Sequence, residues 1–265
     1  MNLFRNLLSA LRRAPAPTVP AGQRIYAVGD IHGRRDLFDA LVGAIETDDA
    51  KRSRDGETTI ILLGDLVDRG PDSAGVIDAA RCLQQRRPVR ILMGNHEEMM
   101  LQSFGSSEIL REFLRFGGRE TVLSYGVQPA DYHAADLEQT RRLMDCHIPP
   151  TDRAFIAGFE DSISVGDYVF VHAGVRPGVP LCDQQQSDLR WIRSQFLEQE
   201  EGFGAVIVHG HTIFAKPEVK AGRIGIDTGA YTSGRLTALG LEGTRRWLIE
   251  AQDNGSAITI AQRSI

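Results

Sequence analysis

The stretch RIYAVGDIHG, residues 24–33, decides how this chain folds. Its first half is a short apolar run, the pattern of a strand buried in a sheet. Its second half sets Asp30 and His32 between glycines, where that strand must end. The same grammar recurs twice: TTIILL (58–63) runs into GDLVDRG (64–70), and VRILM (89–93) runs into GNHEEMM (94–100). TTIILL is apolar almost throughout, as in a sheet covered on both sides. After each polar loop the spacing turns helical, as with Leu37, Phe38, Leu41 and Ile45 after the first. Strand, polar loop and helix in threefold succession predict parallel β-α-β units. In such units every strand ends on one edge of the sheet, where ligand crevices form. Motifs that begin at residues 29, 64 and 94 should therefore meet in space.

The rest of the chain extends this pattern. Residues 97–160 read as mainly helical (EILREFLRFGG, ADLEQTRRLMDC), carry no further motif, and are expected to form an inserted helical cap. Strands resume with YVFVH (168–172), AVIVH (205–209), RIGI (223–226), RLTALGL (235–241) and RRWLIEAQ (245–252). Their closeness in sequence predicts antiparallel pairing for several of them. Two end on histidine: YVFVHAG on His172, and AVIVHGHT on His209 and His211. Of seven histidines, five stand at strand ends (His32, His96, His172, His209 and His211), and only His133 and His147 lie elsewhere.

Composition narrows the function classes. With 265 residues, 42% hydrophobic and 25% charged, the chain can build a substantial core. A net charge of -5 without a run of Lys or Arg disfavours a broad nucleic-acid-binding surface. Cys82, Cys146 and Cys182 form neither a disulfide framework nor a CxxC pattern, which fits a reducing, cytoplasmic location. No apolar stretch has the length of a membrane-spanning helix. Residues 1–20 read as a terminal amphipathic helix and a stiff APAPTVP linker, with weak membrane-surface contact as the alternative. Residues 21–265 then form a single domain.

Taken singly, each motif has a bland reading: a surface turn, a capped helix start, a core histidine. Together, in order and on one edge, they supply Asp30, His32, Asp65, Asn95, His172 and His211. Carboxylate, amide oxygen and imidazole suit hard and borderline divalent ions. The set is too large for one ion and right for two ions that share a carboxylate.

The ordered set GDIHG, GDLVDRG, GNHE, VHAG and HGHT resembles the calcineurin-like metallophosphoesterases. More closely, it is similar to their phosphoprotein phosphatase branch in its bacterial and phage form. The resemblance runs from about residue 24 to about 243. It implies an α/β fold, a four-layer α-β-β-α sandwich with mixed sheets and a helical cap insertion. It also implies two divalent ions, Mn2+ first, with Fe, Zn or Co as alternatives.

Carried over residue by residue, Asp30 and His32 would bind the first ion, Asp65 would bridge, and Asn95, His172 and His211 would bind the second. His211, the histidine before Thr212, matches the family ligand in HGHT. His209 would be a neighbour of the site or a filler of its strand end. His96 matches the family's general acid, oriented by Asp68. Arg69 and Arg193 match its phosphate-binding arginines, Asn95 also facing substrate. Trp191 stands two before Arg193, and Arg190 is the nearby arginine that could be mistaken for it.

The activity so implied is dephosphorylation of phosphoserine or phosphothreonine, with phosphotyrosine as an extension, by in-line attack of water held between the ions. The alternatives are a dinucleoside polyphosphate or RNA 5′-end phosphohydrolase, and a metal-binding scaffold without turnover. GNHE and GHT, where diadenosine tetraphosphate hydrolases tend to GNHD and GHW, lean towards the protein phosphatases. The toxin-binding loop and long C-terminal motif of the eukaryotic branch do not follow IDTGAYTSGRLTAL, so sensitivity to those toxins is not expected. The expected partner is a phosphoprotein or small phosphate-ester substrate, with no stable nucleic-acid partner.

Overall fold

A computed structural model describes residues 16–52, 56–199 and 202–265. Most of the segment expected to form the terminal amphipathic helix, residues 1–15, lies outside the described residues. Strands β1 (Gln23–Val28), β2 (Glu57–Leu62) and β3 (Val89–Ile91) run parallel, with Val28 opposite Leu62 and Leu62 opposite Ile91. The predicted parallel units therefore form. Helix α1 (Arg35–Lys51) links the first two strands and buries Leu37, Phe38, Leu41, Val42 and Ile45 on one stripe. Helix α2 (Ser73–Arg86) links the next two. Its start is capped by Asp72, which accepts the Gly75 N–H at 2.9 Å, a contact worth about 1 kcal/mol.

Between β3 and β4 (Ser162–Val165) the chain is helical, as expected. It forms α3 (Asn95–Ser103), α4 (Ser107–Phe113), a π-turn (Leu114–Gly118), α5 (Arg119–Ser124), α6 (Pro129–Ala134), α7 (Leu137–His147) and α8 (Pro150–Ala157). The second half contributes β5 (Tyr168–Val171), α9 (Gln186–Trp191), α10 (Ser194–Leu197), β6 (Val206–His209), β7 (Glu218–Val219) and β8 (Arg223–Gly225). It closes with α11 (Ala230–Ser233), β9 (Arg235–Glu242), β10 (Arg245–Asp253) and β11 (Ile258–Ser264).

These strands make two mixed sheets. One has the order β11-β10-β9-β1-β2-β3, the other β4-β5-β6-β8-β7. Antiparallel pairing joins β9 to β10 as expected, but β5, β6 and β8 pair in parallel. The reason lies in the connections: α9 and α10 carry the chain back between β5 and β6, and the short β7 intervenes before β8. Strands β4, β7 and β11 were not foreseen. β7 has two residues, and β11 is almost wholly exposed, so neither shows the alternation that betrays a half-buried strand.

Alternation along the buried strands builds the layers. Ile25, Ala27, Ile61 and Leu63 pack with Phe170, Val208, Ile224 and Leu239 between the sheets. Tyr26, Val28, Ile60 and Leu62 face the other way, onto Leu41 of α1 and Ile77 of α2. Val169, Val171 and Ile207 pack outward on Leu189, Ile192 and Phe196. Helices, sheet, sheet, helices: both faces of each inner strand are buried, which is why these strands read as continuous apolar runs. Full burial of a side chain such as Phe38 stabilises the fold by about 1.5–3 kcal/mol. Among the described residues, no helix is long and apolar enough to cross a membrane.

Candidate metal centre

Asp30 and His32 follow β1, Asp65 follows β2, and Asn95 and His96 open α3. From the second sheet, His172 follows β5 and His211 lies two past the end of β6. All seven side chains are buried. Two groups of donor atoms result, His32–Asp65–His96 and Asp65–His172–His211, each lying within 4.8 Å. Asp65 belongs to both. Its Oδ2 is 3.5 Å from His32 Nε2, and its Oδ1 is 3.4 Å from His172 Nε2. Asn95 joins the second group, its Oδ1 being 3.0 Å from His172 Nε2 and 2.8 Å from His211 Nδ1. Asp30 stands outside both triplets but touches the second, its Oδ2 accepting the His211 N–H at 2.9 Å.

Two of the imidazoles are oriented so that they can act as ligands. His32 Nδ1 donates to the Val67 carbonyl and His172 Nδ1 to the Leu63 carbonyl, each at 2.8 Å. With that proton committed to the backbone, Nε2 presents its lone pair to the centre. Burial pulls His32 down to about 3 and His211 to about 2, and lowers His172 as well. They are therefore neutral, the form that binds a cation. Asp30 is pushed well above the usual carboxylate range by burial, then by Asp227 and Asp65. Its Oδ1 is buried without a hydrogen-bond partner. Crowded carboxylates, one of them orphaned, among neutral imidazoles make a donor set that fits divalent cations.

The backbone is strained to make this arrangement. Among the described residues, the non-glycine residues with positive φ are His32, Asp65, Asp68, Arg69 and His211, all within the strand-end motifs. Each such residue costs about 1–3 kcal/mol and persists only if its surroundings hold it. Close approach adds a demand for glycine: a Cβ at Gly94 would overlap Asp65 Oδ1, and one at Gly210 would overlap Asp30 Oδ1.

Glu97 is the main brace. Its Oε1 accepts the N–H groups of Leu66 at 2.7 Å and Val67 at 3.1 Å. Its Oε2 accepts those of Asp65 at 2.8 Å and Gly94 at 3.1 Å. The last letter of GNHE thus reports how α3 holds the Asp65 loop, and it carries no direct information on substrate. Glu97→Ala would leave four buried amides unpaired, each worth about 1–3 kcal/mol. Even with relaxation of the loop, the variant is expected to lose about 3 kcal/mol or more. A thermal melt should show the midpoint lowered by about 10 °C.

Beside the two groups lie a histidine–aspartate pair and two arginines. His96 Nδ1 is 2.6 Å from Asp68 Oδ2. Burial works against a charge on His96, yet Asp65 and Asp68 outweigh it and raise its pKa above the ordinary value. Arg69 donates from Nη1 to His32 Nε2 at 3.1 Å and from Nη2 to His96 Nε2 at 2.9 Å. Arg193 Nε donates to His211 Nε2 at 3.0 Å. Arg190 turns away to pair with Glu98 and Asp161, and Trp191 donates to Glu98. His209 joins neither group. It is buried between Phe196 and Phe214, ring centroids 5.0 and 6.1 Å away, and fills its strand end.

Sequence reasoning missed three neighbours of this centre. Asp227 is buried, and burial, with Asp65 nearby, pushes it up to about 6. It stands two residues past β8 and two before Gly229, much as Asp30 stands two past β1 and three before Gly33. Tyr231 lies 5.3 Å from the His32 ring and 4.8 Å from the Arg69 guanidinium. Thr121, in α5, hydrogen-bonds Asp68 and had no signal at all.

Two His/Asp groups that share one carboxylate, at the strand ends of a double sheet flanked by helices, define a metallophosphoesterase. The family profile described as calcineurin-like phosphoesterase matches residues 23–223, and the chain belongs to that family. Among curated relatives, the asymmetrical bis(5'-nucleosyl)-tetraphosphatase PrpE of Anoxybacillus flavithermus is 27% identical over 232 residues, covering 80% of this chain and 88% of the relative. The symmetrical bis(5'-nucleosyl)-tetraphosphatase of an Acidovorax species is 35% identical over 154 residues, covering 58% of this chain and 44% of the relative. In fold, the chain is similar to a solved candidate diadenosine tetraphosphatase, with TM-score 0.58, 19% identity and coverage of 93% and 98%. It is also similar to the cold-active protein-tyrosine phosphatase of a psychrophilic Shewanella, with TM-score 0.55, 16% identity and coverage of 93% and 83%.

Proposed function

We propose that the protein is a metal-dependent phosphohydrolase whose first substrate class is dinucleoside tetraphosphates. The observation that carries the chemistry is Asp65, with one oxygen turned to each donor group. The substrate class is supported by the tetraphosphatases aligned over four-fifths of the chain. In this reading Asp30 and His32 hold one divalent ion, Asn95, His172 and His211 hold the other, and Asp65 bridges. Mixed oxygen and nitrogen donors accept Mn2+ first, with Fe, Zn or Co in its place. When bound, two such ions supply Lewis acidity at the phosphate and lower the pKa of water.

The protein's own groups do the rest. Arg69 and Arg193 offer planar forks of donors to the non-reacting phosphate oxygens, with Asn95 beside them. Asp68, by accepting the Nδ1–H, favours the imidazolium form of His96; once Arg69 turns from His96 Nε2 to the substrate phosphate, the proton carried on Nε2 passes to the leaving oxygen. Residues 21–265 act as one domain, with 97–160 as its helical insertion. Three free, exposed cysteines fit a cytoplasmic setting.

The His96–Asp68 pair favours a second reading. A leaving nucleotide has a second phosphate pKa of about 6 and departs with little need of an acid. A serine or threonine alkoxide needs one, so phosphoprotein monoesters remain the second substrate class. Chelated protein reloaded with Mn2+ and given diadenosine tetraphosphate or a phosphoserine peptide at equal concentration separates the two. Faster release of nucleotides is expected. Faster release of phosphate from the peptide would select the second reading, and no turnover of either would leave only the metal-binding scaffold.

A further inference from the structure

The helical stretch between β3 and β4 reaches the centre of the site. The Gly117 carbonyl, in the π-turn, accepts the Arg69 N–H at 3.1 Å. Gly117 has φ 111, and a Cβ there would come within 2.7 Å of Arg69 Cγ. Thr121, one turn on, meets Asp68 twice. Its Oγ1 donates to Asp68 Oδ1 at 2.6 Å and accepts the Asp68 N–H at 2.9 Å. Ser73 Oγ, at the start of α2, shares that N–H at 2.9 Å and lies 2.9 Å from Thr121 Oγ1. Asp68, Ser73 and Thr121 have no exposed surface, and His96 has 1%.

Asp68 therefore has both carboxylate oxygens engaged, Oδ2 by His96 and Oδ1 by Thr121. An aspartate's outer torsion is soft, so one fixed oxygen would leave the other partner free to tilt. Thr121 supplies the second fixed point. Its β-branched side chain is restricted in χ1 within a helix, so α5 sets the direction of the hydroxyl. Asp68 and Arg69 are also two successive residues with positive φ, 73° and 69°. Their strained corner is pinned by Thr121, Ser73 and the Gly117 carbonyl, two of the three from the helical stretch.

We propose that Thr121 is a positioning residue for proton transfer: it fixes the Asp68 carboxylate that orients His96, which makes the helical insertion a working part of the active site. This rests on the phosphohydrolase reading above. Losing the hydroxyl should matter where the leaving group needs a proton, and little where it does not.

The test uses the full chain loaded with Mn2+, as wild type, Thr121→Val and Thr121→Ser, on phenyl phosphate and p-nitrophenyl phosphate. Thr121→Val is expected to lower kcat on phenyl phosphate roughly 10–100-fold. The good nitrophenolate leaving group should keep the loss there to about threefold or less. KM and bound metal should stay unchanged, and Thr121→Ser should recover most of the rate. A second readout needs no turnover: in metal-free protein the His96 Nδ1–H proton resonance should lie far downfield in wild type and Thr121→Ser, and move upfield in Thr121→Val. Equal losses on both esters, loss of metal, no recovery by serine, or an unmoved resonance would each overturn the proposal. If Thr121→Val does not fold, Thr121→Ala carries the same comparison with less crowding. Wild-type protein inert towards both esters and diadenosine tetraphosphate would bring down the phosphohydrolase reading and this inference together. An active wild type whose rates Thr121→Val matches on both esters would bring down this inference alone.

Discussion

Asp65→Asn is expected to lower metal-dependent phosphate hydrolysis by about 10³-fold or more, on every substrate tested. The carboxylate is the one donor common to both His/Asp groups. Asparagine keeps its shape but replaces one oxygen by an NH2 that points hydrogens at a cation. Lewis acid assistance from a metal centre is worth several kcal/mol, and about 1.4 kcal/mol is tenfold in rate. The fold should survive, because the brace from Glu97 engages the backbone N–H of residue 65 and not its side chain. The His96 N–H, which donates to Asp65 Oδ1 at 3.1 Å, also keeps an oxygen to bond. Steady-state rates beside a thermal melt check this: a rate near wild type in the folded variant would mean that the shared carboxylate is not needed.

His96→Asn is expected to show the opposite selectivity, a loss that depends on the leaving group. Positioned general acids contribute about 10²–10⁴-fold. That full range should appear on phenyl phosphate, whose phenolate needs a proton near neutral pH, with a phenolic pKa of about 10. Diadenosine tetraphosphate should lose far less, since a leaving phosphate titrates near 6. Asparagine fits the space and cannot carry the proton. The ratio of kcat losses on the two substrates is the measured quantity. A uniform loss would assign His96 to metal binding, a role its place in the His32–Asp65–His96 group also allows.

Much of the site was legible because chemistry-bearing residues stand where apolar runs end. Asp30, His32, Asp65, Asn95, His172 and His211 each follow a strand by a few residues, and parallel topology brings their motifs together. What stayed hidden depends on contacts that carry no local pattern. Thr121 is one polar residue in a helix, and its partner Asp68 lies 53 positions away. Glu97 was visible as a letter of GNHE, but its partners are backbone amides, which have no letter. The GNHE spelling therefore leaned towards protein phosphatases on a residue that faces its own backbone. Antiparallel pairing holds for β9 with β10, whereas the parallel pairing of β5, β6 and β8 carries no local signal, because it is set by the helices and the two-residue strand that intervene. Asp227 obeyed the same rule as Asp30 and could have been found by applying it once more.

One buried carboxylate, that of Asp65, joins the two proposed metal sites. The most direct test is the metal content of protein dialysed against Mn2+ and then metal-free buffer, measured by mass spectrometry of the elements beside the protein concentration. Two ions per chain are expected in wild type, and at most one in Asp65→Asn. Wild type that holds a single ion, or none, while hydrolysing phosphate would contradict the bridging role of Asp65.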